Sequence, residues 1–184
     1  MADRITIELD VAPVIARLDR LLGALGPQGM QAPLAEIGKD LVESVKRRFE
    51  TSTAPDGSRW APNAESTYLG LLGKTKNNLR KDGRISAQGA RRVAGKKPLV
   101  DSGLLQDSIA YQIDGYSLFV GTNRFAGEWD GGAAVHQFGS KDGRIPARPF
   151  LGVDDADVAK MLEVLETLSL IHISEPTRLL SNSY

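Results

Sequence analysis

The 184-residue chain contains no cysteine, only two histidines and no long apolar run. The lack of cysteine excludes disulfides, thiolate nucleophiles and cysteine metal sites. A membrane-spanning helix needs about 20 mostly apolar residues, and the first ten residues lack the apolar segment of a secretory signal peptide. Hydrophobic residues make up 41% of the chain and charged residues 25%, as in ordinary globular proteins. The sequence therefore predicts one well-packed cytoplasmic domain without a membrane span.

Residues that could carry catalysis are equally scarce. His136 has no second histidine or spaced carboxylate with which to form a metal site, and no Gly-x-Ser-x-Gly nucleophile motif occurs. The glycines of the Asp-Gly segments lack the strand, Gly-Lys-Ser/Thr and helix context of a nucleotide site. We therefore predict no enzymatic activity, no cofactor and no metal, and a structural role for His136. A hydrolase that uses His136 is the alternative from the enzyme class.

The net charge is zero, but the charges are unevenly distributed. Residues 73–98 hold nine basic residues and one acid, which gives +8, so the remaining 14 basic and 22 acidic residues give −8. The nine basic residues are Lys74, Lys76, Arg80, Lys81, Arg84, Arg91, Arg92, Lys96 and Lys97. Such asymmetry favours a local electrostatic contact rather than a basic protein overall.

The partner of this basic segment is left open by the sequence. Residues 73–97 show little apolar periodicity, so we predict a long mobile loop. Nine cations could bind DNA phosphates without sequence preference and with strong salt dependence. No Trp, Tyr or Phe lies between residues 73 and 98, so the stacking platform of single-strand binders is missing. An acidic protein surface, or simple solvation, explains the segment as well as DNA does.

Apolar periodicity predicts an α+β fold. Residues 4–10 alternate like a strand with one buried face. Residues 14–25 and 32–50 repeat apolar side chains at spacings of three or four, as amphipathic helices do. We expect N-terminal helices packed on a small antiparallel sheet, with a C-terminal helix that begins after an N-cap at Asp154.

Residues 97–123 are the stretch around which the sheet should form. Asp101 or Ser102 is the predicted N-cap of a short helix. Two β-rich runs follow, and the Asp114-Gly115 dipeptide between them predicts a hairpin turn in which both central residues have positive φ. The central hairpin of the sheet is therefore placed here.

Two other features affect the domain boundaries. The pentapeptide KDGRI occurs at residues 81–85 and 141–145, and we interpret both copies as polar turns rather than a domain repeat. Residues 168–178 resemble the translation of a sequencing adapter. We therefore expect a single domain over residues 1–167, followed by a non-native stretch at 168–184, and we set His172 aside.

Several motifs, in order, resemble a known family. They are GKDLVESVKRRFE, TAPDGSRWAPN, KPLVDSGLLQDSIAYQIDG with VGTN, VHQFG and ARPFLGV. Together they resemble the phage virion morphogenesis family, the tail completion proteins of Mu-like and related contractile-tailed phages. The similarity covers most of residues 32–165, and the loop at residues 125–132 departs from it. The resemblance implies a helix packed on an antiparallel sheet, as in small head-tail connector proteins.

The resemblance also implies a structural function, namely completion of the tail tube so that it joins stably to the filled head. It implies assembly as a ring, contact with tail tube or head-tail connector proteins, and a location in the host cytoplasm during assembly and then in the virion. Non-specific contact with phage DNA through the basic residues is an additional expectation. The residues predicted to contact a neighbouring subunit or to anchor a loop are Trp60, His136, Phe138, Arg148 and Phe150. A sequence-independent DNA-binding module and a capsid-assembly factor are the alternatives.

Overall fold

The computed structural model describes residue 26, residues 28–124 and residues 132–180, except for the side chains of Lys76 and residues 169–180. Its helices are α1 (Gln31–Thr51), α2 (Glu65–Gly73), α3 (Ala87–Gly95), α4 (Leu104–Asp107), α5 (Gly132–Phe138) and α6 (Asp155–Leu180). Its strands are β1 (Ile109–Asp114) and β2 (Ser117–Thr122), and Lys76–Asn78 form a 3₁₀ turn. These elements confirm an α+β composition. The strand predicted at 4–10 and the helix predicted at 14–25 lie outside the described residues.

The chain divides into two compact units, each assembled from separate stretches of sequence. The first unit comprises residues 1–47, 109–123 and 151–184, and the second comprises residues 48–108 and 124–150. Within the described residues, no helix combines the length and apolarity that a bilayer span requires. The single domain over residues 1–167 and the non-native stretch after it remain predictions.

The core of the first unit joins α1, the hairpin and α6. It is formed by Met30, Leu34, Ile37, Leu41, Met161 and Leu165, with half-buried Ile113, Leu118 and Val120 packed against it. The α1 residues in this list follow the spacing of three or four that predicted the helix. The helix prediction at residues 32–50 is thus confirmed, since α1 runs from Gln31 to Thr51.

Gly38 allows the hairpin to approach α1 closely. A Cβ at this position would lie 2.6 Å from Cγ and Cδ2 of Tyr111 and 3.1 Å from Cδ1 of Leu118. Contacts under 3 Å between carbon atoms are strongly repulsive, so a side chain here would push the Tyr111 ring away from the helix. Glycine at this position therefore costs α1 some helix propensity but allows closer packing.

The hairpin is confirmed, but the predicted turn was wrong by one residue. Asp114 pairs with Ser117, so the two turn residues are Gly115 and Tyr116 rather than Asp114 and Gly115. Of the two, only Gly115 has positive φ, at 59°. This is the pattern of a type II′ turn, in which the first central residue alone needs positive φ and is usually glycine. The Asp-Gly signal located the turn but not its register.

The ends of two helices test the predicted caps. Before α6, Asp154 Oδ1 accepts from the backbone N of Asp157 at 2.9 Å, and Asp157 Oδ2 accepts from the backbone N of Asp154 at 3.1 Å. This reciprocal arrangement works like a capping box and confirms the cap at Asp154. Before α4 the prediction was wrong, because Gly103, with φ of 79°, occupies the N-cap. Ser102 Oγ only accepts a long bond of 3.4 Å from Leu104 N.

The prediction of one long loop over residues 73–97 was also wrong in its secondary structure. The segment contains the 3₁₀ turn, an antiparallel bridge between Leu79 and Ile85, and α3. Its order comes from buried polar contacts rather than an apolar stripe, which is why periodicity did not detect it.

Glycine-to-alanine changes should separate close packing from helix propensity. Gly38→Ala should lower the free energy of unfolding by about 1 to 3 kcal/mol, because the added methyl overpacks the helix against Tyr111. Gly70→Ala in α2 is the matched control, since its Cβ would meet no described atom within 4 Å. The control should raise stability by about 0.5 to 1 kcal/mol. Urea unfolding of both variants measures this, and a stabilised Gly38→Ala protein would contradict the packing argument.

Candidate interaction surfaces

The basic segment folds as a small helical module within the second unit. We call residues 65–97 the basic module; in it α2, the 3₁₀ turn and α3 pack on one another. Asn78 is fully buried at the centre, and its Nδ2 donates to the backbone oxygens of Leu71 and Leu72, both at 3.1 Å. These two carbonyls lie in the last turn of α2, where helices leave carbonyls unbonded. The amide of Asn78 therefore ends one helix and fixes the turn that follows.

The start of α3 is fixed by the same turn. Ser86 N donates to the Asn78 backbone oxygen at 2.9 Å, and Ser86 Oγ accepts from Gly89 N at 3.1 Å as an N-cap. A Cβ on Gly89 would lie 2.3 Å from the Asn78 oxygen, a distance that no side chain could occupy. Glycine is required because α3 passes directly over the backbone of the 3₁₀ turn. The sequence signal was a serine three residues before this glycine, which we did not interpret as a cap.

Three of the nine basic side chains form hydrogen bonds within the chain. Lys96 Nζ donates to the Val100 oxygen at 2.8 Å and pairs with Asp101. Lys97 Nζ donates to the backbone oxygen of Glu50 at 2.9 Å, and Arg92 Nη1 donates to Thr75 Oγ1 at 2.7 Å. The hydrogen bond and charge of Lys96, with a smaller contribution from Lys74, keep the pKa of the Asp101 carboxyl below its ordinary value. These three side chains contact neighbouring segments and are partly engaged before any partner arrives.

The other described cations of the set are exposed, and three of them lie on one turn. We call residues 79–85 the basic finger. Leu79 and Ile85 form its base as a bridge pair, and Arg80 N donates to the Arg84 oxygen at 2.8 Å. Gly83, with φ of 81°, closes the tip and donates to the Arg80 oxygen at 3.0 Å. Arg80, Lys81 and Arg84 therefore extend from a short, well-bonded turn.

The second KDGRI copy forms a turn of the same design. Gly143 has φ of 72° and donates to the Ser140 oxygen at 3.0 Å, as Gly83 does to Arg80. Asp142 Oδ1 accepts from Arg144 N at 3.1 Å, and Asp82 Oδ1 accepts from Arg84 N at the same distance. The repeat is thus turn chemistry used twice, because an aspartate acceptor and a positive-φ glycine favour this geometry.

Aromatic rings form the centre of the second unit. Phe49 and Phe150 are fully buried and Trp60 nearly so. The Trp60 ring meets Phe49 edge to face at 5.4 Å, and Phe150 lies 5.5 Å from Phe49. Trp60 Nε1 donates to the Pro149 oxygen at 2.8 Å. The ring pair and the hydrogen bond fasten the loop after α1 to the segment that precedes Leu151.

Buried polar side chains complete this connection. Arg148 donates from Nε to the Ala61 oxygen at 2.8 Å and from Nη2 to the Pro62 oxygen at 2.7 Å. Burial lowers the pKa of the Arg148 guanidinium from its ordinary value, and two carbonyl acceptors offset part of the cost of burying the charge. Arg48 donates to the Phe150 oxygen at 3.3 Å, and Gln137 Oε1 accepts from Phe150 N at 3.0 Å. Trp60, Arg148 and Phe150 thus hold loops within the unit.

Arg48 was missed by the sequence reasoning because charged residues on a helix are usually solvated. Gln137 was named in the sequence analysis only as part of the VHQFG motif. The one available signal for Arg48 was its position next to Phe49 at the end of an amphipathic helix.

His136 and Phe138, both on α5, differ in their exposure to solvent. His136 is half-buried, and among the described residues its Nδ1 has no hydrogen-bond partner. Its backbone oxygen accepts from Arg148 N at 2.7 Å. Burial, and then the positive charge of Arg148, lower the pKa of His136 below its ordinary value. The described residues contain no cluster of three potential metal ligands, and Phe138 is 61% exposed.

The comparisons with known proteins point the same way as the motifs. The model of the phage virion morphogenesis family matches residues 9–168. The chain belongs to the phage virion morphogenesis family. It is 27% identical over 165 residues to tail completion protein S of Escherichia phage P2, covering 85% of this chain and 93% of that protein. It is 42% identical over 74 residues to Mu-like prophage FluMu G protein 2 of Haemophilus influenzae, covering 38% of this chain and 49% of that protein.

No solved structure matches the chain significantly. The family match covers residues 9–168. It includes both KDGRI turns and all of the aromatic and polar residues that connect the loops of the second unit.

The contacts of Trp60 can be tested by a change that keeps an aromatic ring. Trp60→Phe removes the donor to the Pro149 carbonyl and part of the buried ring volume, so the free energy of unfolding should fall by about 1 to 3 kcal/mol. Phe138→Ala, which removes an exposed ring from the same unit, should change stability by about 0.5 kcal/mol or less. Urea denaturation gives both values. Equal losses of unfolding free energy in the two variants would show that the contacts of Trp60 add no more stability than an exposed ring does.

The depressed pKa of His136 predicts a pH effect with a definite sign. Because the folded-state pKa lies below the ordinary value of 6.5, the unfolded chain binds this proton first as the pH falls. The neutral His136 side chain therefore contributes its full share to the free energy of unfolding above pH 6.5. This share is lost as the pH falls from 6.5 through the lowered folded-state pKa. Stability measured from pH 7.5 to 5 should therefore drop more steeply in the native protein than in His136→Gln. Parallel curves would rule out this contribution.

Proposed function

We propose that this protein completes the phage tail and joins it stably to the filled head, as a ring of identical subunits at the end of the tail. The observation that carries the proposal is the family match over residues 9–168 together with a relative named as a tail completion protein. That relative is matched along 93% of its length, so the similarity extends over nearly the whole of it.

The architecture suits a protein that works by contact. In the second unit, the Phe49, Trp60 and Phe150 rings and the Arg148 guanidinium fix the loops to one another. A rigid surface loses little conformational entropy when it docks, so more of the contact energy becomes affinity. The basic module adds exposed cations to this scaffold, including Lys81 and Arg84. These features support assembly by surface complementarity rather than chemical turnover.

A ring of identical subunits uses two different surfaces on each copy, and its contacts close by rotation. The tail tube or the head-tail connector would then bind a face of the ring, where each subunit repeats the same contacts. On this proposal the protein assembles in the host cytoplasm, remains in the virion and has no enzymatic activity. Its cations are available either to a neighbouring protein or to DNA that passes along the axis.

Electron microscopy of phage particles made without this protein tests the proposal. Filled heads and free tails that fail to join should accumulate, because head and tail assemble but lack a stable junction. Expression of the native protein from a plasmid should restore joined particles. The Trp60→Phe protein, if folded at the growth temperature, should restore them as well, since Trp60 is internal. Empty or malformed heads would instead indicate a capsid-assembly factor, and normal particles would refute a role in completion.

A further inference from the structure

We propose that, in the ring, the basic finger of one copy docks on the outer face of the β1-β2 hairpin of the next copy. The occupant of each surface is thus a second copy of this chain, and the contact pairs cations with Asp114 and aliphatic side chains with Tyr116 and Phe119. The inference rests on the proposed function, to which it adds the surfaces through which the subunits meet.

The finger combines apolar and basic chemistry. Leu79 is 41% exposed and Ile85 49% exposed, although both are large aliphatic residues. Directly paired residues of an antiparallel bridge project to the same side, so the two side chains form one patch. Arg80, Lys81 and Arg84 are exposed on the same short turn. Exposed aliphatic side chains close to exposed cations on one turn are chemistry that a protein interface can use.

This combination favours a protein partner over DNA. The duplex backbone offers phosphates, which the cations could bind, but it gives the exposed aliphatic patch of Leu79 and Ile85 no apolar surface to bury. The finger also lacks an aromatic ring on which a base could stack. A partner that is acidic and apolar accounts for both halves of the surface.

The outer face of the hairpin has that character. One side of the hairpin packs toward α1 through the half-buried Tyr111, Ile113, Leu118 and Val120. The other side exposes Gln112, Asp114, Ser117 and Phe119, and Tyr116 is exposed at the turn. Asp114 is the sole charged residue between positions 109 and 123. The face is therefore acidic and aromatic, without a competing cation of its own.

The two surfaces complement each other in charge and in side-chain chemistry. Arginine pairs favourably both with carboxylates and with the faces of aromatic rings, so Arg84 could engage Asp114 and Tyr116 together. Within its own turn Arg84 meets Asp82 only at 3.9 Å and its side chain is 82% exposed. Exposed pairs of this kind contribute little, so the turn gives up little when Arg84 changes partner.

The chain as a whole adds a long-range attraction. Residues 73–98 carry +8 and the remainder carries −8, so a second copy offers the basic module an oppositely charged surface. Finger and hairpin are different surfaces, which makes the contact heterologous, as a ring requires. Isologous pairing of two fingers would place like charges together.

Charge reversal tests this contact. The full-length proteins Arg84→Glu and Asp114→Arg would each place like charges opposite one another, and self-association of each should weaken about tenfold or more. Sedimentation velocity of the native protein and of both variants at one salt concentration measures the effect. Circular dichroism melting, expected to be unchanged because both positions are exposed, separates loss of contact from loss of fold.

An equal mixture of the two variants provides the decisive measurement. In an alternating ring, the glutamate introduced at position 84 faces the arginine introduced at position 114, and the next contact pairs native Arg84 with native Asp114. Every contact is then between opposite charges, so the mixture should associate like the native protein. Arg144→Glu is the matched control, because this arginine occupies the same position in the second KDGRI turn and is 87% exposed. It should leave association unchanged.

Several results would overturn the inference. They are a native protein that stays monomeric at the highest concentration reached, a mixture that fails to associate, and a control as weakened as Arg84→Glu. If Arg84→Glu loses duplex DNA binding but keeps self-association, the partner of the finger is DNA and not a second copy of the chain. If the ring contact fails in these ways while particles without the protein still show unjoined heads and tails, tail completion stands and only the proposed surfaces are wrong.

Discussion

The apolar stripe of α1 is the constraint on which the described structure depends. Its first turns place Leu34, Ile37 and Leu41 in the cluster shared with Met161 and Leu165 of α6. Its last turn places Phe49 between Trp60 and Phe150 in the second unit. One helix face thus supplies core residues to both units, because a spacing of three or four residues keeps the side chains on one side of the helix.

Buried polar side chains do the remaining positioning. The Arg148 guanidinium and the Asn78 amide each donate to two backbone carbonyls of another segment. Such bonds contribute modestly when made and cost more when one partner is lost, so they select one arrangement of the loops. Each of these bonds connects an irregular segment to a neighbouring one.

A division between a bonded interior and an exposed surface suits a virion morphogenesis protein. Membership in that family is established by the match over residues 9–168. The exposed features of the described residues include cations, aliphatic side chains at the basic finger and aromatic side chains at the hairpin. In the proposed ring, contacts of this kind would add up, because each subunit would contribute the same small area.

The sequence by itself determined the long helix at 31–51, the hairpin, the cap at Asp154 and the family, since each rests on local periodicity, a short turn signal or a colinear set of motifs. Only the folded structure gives the turn register, in which Asp114 pairs with Ser117. It also gives the basic segment a 3₁₀ turn and α3, which a buried asparagine connects without leaving a periodic trace in the sequence. Burial made Arg148 an internal anchor and exposure left Arg84 at the surface. Arg84 and Arg148 are the same type of residue, and only their surroundings in the folded chain distinguish them.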